Sequence, residues 1–270
     1  MKKIWKVLGI IAGVIAVIVI VALFATSGLR STADEFFGAV KQQDMAKART
    51  YLSEEFKAST DDAALKAFLS NSALLNFKEA SWSESNIDNG RGELNGLITT
   101  ETGGHIPIKL MFVKEHEAWK IYALQKPTAG LQSSQPAETP AIASSAQPVA
   151  TVPAAADQIN MSRQAMHDFA LSVKSKNMEH FRSTISQLWQ SQFTTQQLND
   201  AYGQIIKANL DLTVVDPLQP VLDGNAALDD KGVLTIKGHY ATHPSTLYFE
   251  DNFIYEGVAW KLIGLNIHIK

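Results

Sequence analysis

The chain contains no cysteine in its 270 residues. That excludes a disulfide framework, a thiolate metal site, a cysteine nucleophile and acyl anchoring through a lipobox cysteine. A surplus of positive charge is missing too. The formal net charge of −3 divides as +4 over residues 1–30, −3 over 31–126, −2 over 127–157 and −2 over 158–270. Neither long segment has the clustered Lys and Arg that neutralise phosphates, which argues against a nucleic-acid footprint. Proline is scarce except in one place, where five of the nine fall between Pro127 and Pro153.

What is present begins with an apolar run. Lys2, Lys3 and Lys6 precede 23 uncharged residues, Val7 to Leu29. As a helix such a run spans roughly 35 Å, enough to cross a bilayer. A cleaved signal peptide would have an apolar core of only about 7–15 residues. The expectation is therefore an uncleaved single-pass anchor at residues 7–29. Three lysines before the span, against Arg30 alone just after it, place the N-terminus inside and everything after Arg30 outside a bacterial inner membrane, in the periplasm or beyond the cell. Gly9 and Gly13 form a G-x-x-x-G pair of the kind that lets two such helices approach as a homodimer.

The proline-rich stretch 127–157 is otherwise Ala, Ser, Gln and Thr. With little to bury, it reads as a linker between domains at 31–126 and 158–270. These two segments can be laid over each other. Phe36, Val40, Met45 and Arg49 match Phe169, Val173, Met178 and Arg182 at an offset of 133, and "AWKI" from Ala118 matches "AWKL" from Ala259 at 141. Matching motifs in the same order at the start and end of each segment point to a tandem duplication.

Each copy opens with helical spacing and closes with alternating strands. Asp44 is placed to cap a second helix carrying Met45, Ala48, Leu52 and Phe56, and a third begins at "STDD" in the first copy and at "TTQQL" in the second. Four strands follow in the first copy, separated by Asp88-Asn89-Gly90, Thr102-Gly103-Gly104 and Glu115-His116-Glu117. In the second copy "LDLTVVD", "VLTIKGHYAT", "TLYFEDNFIY" and "AWKLIGLNI" read as strands. The expected fold class is α+β: two tandem domains, each with about three N-terminal helices on a curved antiparallel four-stranded sheet, after one transmembrane helix.

The F-x-x-x-V helix, the Asp or Asn turn, the helix ending in an aromatic and the terminal hairpin "FVKEHEAWKIY" resemble the nuclear-transport-factor-2-like (NTF2-like, or cystatin-like) superfamily, in particular its lumazine-binding-like bacterial branch. The resemblance implies cone-shaped domains whose mouth holds a ligand, an active site as in the ketosteroid isomerase branch, or nothing. It also implies possible use as an assembly component of an envelope secretion apparatus. It transfers no catalytic residue to this chain, and fold does not fix function.

The candidate chemistry is sparse. Trp119 and Trp260 read as large aromatics closing each sheet against its helices, with Lys120 and Lys261 pointing outward. His239 and His243, four apart on an expected strand, would share a face; with no third ligand they make no metal site. Asp251 stands out, because Leu247, Phe249, Phe253 and Tyr255 share its phase and Leu110 occupies its place in the first copy. A carboxylate on an apolar concave face would have a raised pKa and could serve as a base. Alternatively, a bulge would return it to water. Asp251, Phe249, Phe253, Tyr255 and Tyr240 form the candidate ligand pocket, with no cofactor, no metal and no assigned catalytic residue. The expected function is a membrane-anchored binding or scaffold protein acting on a partner protein or small ligand. Secretion-apparatus assembly, or an isomerase or lyase using the second domain, are the alternatives.

Overall fold

The computed structural model describes residues 27–126 and 152–270. Residues 7–26 of the expected anchor, with Gly9 and Gly13, and residues 127–151 of the linker lie outside the described residues. Among the described residues no helix is long and apolar enough to cross a membrane. Backbone contacts divide the chain into two units after Lys126.

The first unit starts with helix α1 (27–41), whose Leu29, Ala33, Phe36, Phe37 and Val40 are buried at helical spacing. Leu29 closes the apolar segment in the sequence, but here its side chain is fully buried against Gly92 of the sheet. Residues 27–30 thus continue the first unit's own helix. Gln43, at φ 57°, turns the chain into α2 (Met45–Thr50), where Asp44 accepts from Lys47 N at 2.9 Å as its cap.

The expected second helix is divided in two. Ser53 donates its N–H to Ile121 of the last strand at 2.9 Å and caps α3 (Glu54–Ser59) by accepting from Phe56 N at 3.0 Å. That tie to the sheet outcompetes continued helix, so Leu52 and Phe56 lie on separate helices, both buried. Asp61 then caps α4 (Asp62–Asn71), as the sequence suggests.

Strands β1 (Phe77–Asp88), β2 (Arg91–Thr100), β3 (His105–Glu115) and β4 (Ala118–Gln125) form an antiparallel meander. Its inner positions, including Leu94, Ile98, Ile108, Leu110 and Phe112, pack with the helical apolar residues; each such side chain contributes about 1.5–3 kcal/mol when fully buried.

The second unit reproduces these devices at the spacings found in the sequence. Helix α5 (Ala155–Ser175) ends at Lys176, φ 57°, 133 residues after Gln43. After α6 (Glu179–Thr184), Ser186 N donates to Leu262 O at 2.8 Å while its hydroxyl caps α7 (Gln187–Gln192), 133 residues after Ser53. Thr194 opens α8 (Thr195–Ala201) with a capping box, 133 residues after Asp61, and α9 (Gly203–Lys207) follows. In the sheets, the register slip between Met111 and Phe112 recurs between Asn252 and Phe253, 141 residues later.

The eight extra residues fall between these two blocks, and there the sequence expectation fails. "LDLTVVD" is not a strand. Asp211 accepts from Thr213 N at 3.0 Å and closes a 3-10 turn over Leu212–Val215, with Pro217 just beyond. The place of the first unit's β1 is taken by two short strands, β5 (Val221–Leu222) and β6 (Ala227–Leu228), both paired with β7 (Leu234–Tyr240). With β8 (Leu247–Glu256) and β9 (Ala259–Ile269) the sheet has five strands rather than four.

The burial of Leu29 yields a direct check. Leu29→Ala in the full chain should lower the first unit's urea stability by about 2–5 kcal/mol, the cost of a large-to-small change in a packed core. A change below about 0.5 kcal/mol, typical of an uninvolved position, would detach residues 27–30 from that unit.

Candidate functional site

Asp251 sits in the middle of β8, opposite Ile236 of β7 and Leu265 of β9. Its neighbours in phase, Leu247, Phe249 and Phe253, are each 3% exposed, and Asp251 is 1% exposed. The bulge is present one residue later, but the extra residue, Ile263, lies on β9, so β8 keeps its alternation and the carboxyl stays inside. The phase changes only after Ile254. Tyr255 is half-buried, while Glu256 turns inward and accepts from Gln187 N at 2.9 Å and Leu188 N at 3.3 Å, at the start of α7.

The surroundings of Asp251 explain its chemistry. Burial raises its pKa from 3.8 to about 7, and the nearby hydroxyl of Ser162 on α5 opposes the rise. That contact is marginal, because neither Asp251 Oδ1 nor Ser162 Oγ completes a hydrogen bond of normal geometry. The phenols of Tyr202 and Tyr240 are pushed up, first by burial and then by the negative charge of Asp251. Tyr202 donates to Leu265 O at 3.1 Å, the residue beside Asp251 on the next strand.

Four polar groups therefore converge on one interior. At the equivalent places of the first unit stand Leu29 for Ser162, Leu69 for Tyr202, Ile98 for Tyr240 and Leu110 for Asp251, all fully buried. Sequence reading singled out Asp251 and Tyr240 and missed Ser162. The 133-residue offset that sets Ser162 against Leu29 was the available signal.

Two clefts flank α5 in this unit. One, of about 280 Å³, is lined by Asn160, Arg163, Gln164, His167, Asp216 and Tyr240. His167 Nδ1 lies 3.0 Å from Asp216 Oδ1, and Arg163 donates to Asp216 O at 3.4 Å. The other, of about 560 Å³, is bordered by Met161, Gln164, Asp168, Phe253, Trp260 and Lys261. Asp168 is 6% exposed; its Oδ1 accepts from Gln164 Nε2 at 3.1 Å and lies 3.2 Å from His180 Nε2.

Of the expected pocket residues, Tyr240 borders the smaller cleft and Phe253 the larger, whereas Asp251, Phe249 and Tyr255 border neither. The histidine pair is not assembled: β7 ends at Tyr240, which leaves His243 outside the strand, and His239 Nδ1 lies 2.9 Å from Asp223 Oδ1. Among the described residues no group of three His, Asp or Glu side chains is arranged to hold a metal ion.

No family model and no curated protein matches the sequence. Among solved structures, a protein described as a putative NTF2-like transpeptidase from Campylobacter jejuni is 13% identical, with 34% of this chain and 94% of that chain covered and a TM-score of 0.26. A cystatin-like protein from Ruminococcus gnavus is 10% identical, with 92% of this chain and 94% of that chain covered and the same TM-score of 0.26. At that level of superposition the α+β plan rests on the coordinates themselves, with antiparallel sheets and helices in both units.

The buried carboxyl makes stability depend on pH in a defined direction. Its folded value, about 7, lies above the unfolded 3.8, so between these the folded chain holds a proton that the unfolded chain has released. The stabilisation is complete below about pH 4 and is lost as pH rises toward 7, on the order of 4 kcal/mol across the interval. Asp251→Asn should remove that part of the pH dependence of the second unit's urea stability. An unchanged slope would show that Asp251 is solvated.

Proposed function

We propose that the chain is an extracytoplasmic binding protein, held in the membrane by the part of the apolar segment from Val7 that precedes the first unit's helix, with its N-terminus inside, in which one NTF2-like domain is used twice. The first copy is a filled structural unit, and the second holds a small ligand. The observation that carries this reading is the asymmetry at equivalent positions. Leu29, Leu69, Ile98 and Leu110 fill the first interior, whereas Ser162, Tyr202, Tyr240 and Asp251 occupy the second, beside two clefts. Polar groups in an interior cost free energy unless partnered, so keeping four of them where aliphatic side chains fit argues for a task.

Binding fits better than catalysis. A general base must come within hydrogen-bond reach of the proton it takes. Asp251 is 1% exposed and borders neither cleft, so it acts on the site from behind, through Tyr240, which borders the smaller one.

Hydrogen-exchange mass spectrometry of the detergent-solubilised full chain tests the reading, using a set of amino acids, organic acids and small saccharides. A ligand at 100 times its Kd adds about 2.7 kcal/mol to the state it binds, so protection should rise in α5, β8 and β9 and not in α1 to β4. Protection confined to the first unit, or no protection with any compound, overturns it. Alkaline phosphatase fused after Lys270 should be active, and an inactive fusion rules out the extracytoplasmic placement.

A further inference from the structure

At the place equivalent to the larger cleft, the first unit sets an indole against its first helix. There α1 carries Gly28, and a Cβ built on it would lie 2.8 Å from Trp119 Cδ1, so the indole rests directly on the helix backbone. Lys120 on the same strand donates to Thr50 O at 2.6 Å, and the Glu35 carboxylate accepts from Ser31 at 3.1 Å. The equivalent residues of the second unit are Met161, Trp260, Lys261, Ser183, Asp168 and Gln164.

Met161 cannot coexist with an indole pressed on the helix as Trp119 is. Trp260 instead meets Tyr255 edge to face, with ring centroids 5.4 Å apart, and forms one wall of the cleft while half-buried, as Trp119 is. The Lys261 ammonium makes no hydrogen bond or ion pair among the described residues. On Asp168, which borders the cleft, Oδ1 takes the contacts with both Gln164 and His180. The walls thus offer an aromatic face, a carboxylate held in place, an ammonium, and the amides and hydroxyls of Asn160 and Thr184.

Formal charges of −1 and +1 from Asp168 and Lys261 cancel, so the cleft does not select for an ion of either sign. What it matches is a ligand with one apolar face and a rim of groups that both donate and accept. A sugar ring has that form: its axial C–H bonds stack on an indole, and paired hydroxyls bind a carboxylate through charge-assisted hydrogen bonds. A volume of about 560 Å³ suits two or three rings.

We infer that the cleft between α5 and β9 of the second unit is a site for a neutral oligosaccharide, stacked on Trp260 and held by Asp168, with Met161 keeping the groove open. This rests on the binding reading above and names its ligand class.

The test titrates chitotriose, cellotriose and maltotriose separately into the solubilised full chain, followed by calorimetry. At least one should bind with a Kd below about 1 mM, near the lower end of useful affinities. Trp260→Ala should weaken it at least tenfold and Asp168→Asn severalfold. Met161→Gly, which restores the first unit's residue, should abolish binding without loss of circular dichroism, so the result does not depend on Trp260→Ala folding. No binding by any of the three, or binding unaffected by Met161→Gly and Asp168→Asn, overturns the site. If none binds while an amino or organic acid protects α5, β8 and β9 from exchange, the saccharide inference falls and the binding reading stands. If nothing protects them, both fall.

Discussion

The second unit depends on a desolvation constraint at one place, the gap between α5 and the middle of β8. A carboxyl there cannot ionise cheaply, because burial withdraws water and the closest hydroxyl, Ser162, only marginally replaces it. Tyr202 and Tyr240 hold their own protons more firmly, first because they too are buried and then because of the charge Asp251 carries once ionised. The sheet geometry enforces this. The bulge places its extra residue on β9, so the alternation along β8 carries Asp251 inward with Leu247, Phe249 and Phe253.

The same geometry without the polar groups makes the first unit a useful control within one chain. Both units tie a serine N–H to the last strand, turn with a left-handed residue after the first helix and slip register at the equivalent bulge. What differs is the filling. Leu29 and Leu110 in one, Ser162 and Asp251 in the other, are read by the same backbone, so an effect seen in one unit and absent from the other belongs to side chains.

Much of this was legible in the sequence, for identifiable reasons. Helix starts at Asp44, Asp61 and Thr194 were readable because capping is local chemistry. The strands from Leu247 and Ala259 were readable because a half-buried strand alternates. The break at Ser53 was not, since its cause is a hydrogen bond to Ile121, 68 residues away. "LDLTVVD" has β-branched residues that suggest a strand, and the Asp211 turn overrides them. At the site, Asp251 could be singled out by phase, but whether a bulge would expose it depended on which strand carried the extra residue. The clefts were not legible at all, because they are defined by side chains of α5 with Asp216 and Tyr240 in one and with β9 in the other, far apart in sequence and individually unremarkable.

The contact between Trp119 and Gly28 has a kinetic meaning as well as a steric one. The indole and the Lys120 ammonium occupy the equivalent place in the first unit as a covalently attached competitor, present at an effective concentration that no free molecule of millimolar affinity approaches. Entry there must wait for the indole to lift from the helix, on the timescale of local opening, whereas the second unit's groove already stands open in the structure. Equivalent surfaces of the two units would then differ in exchange rate through the difference between a hydrogen atom at Gly28 and the methionine side chain at Met161.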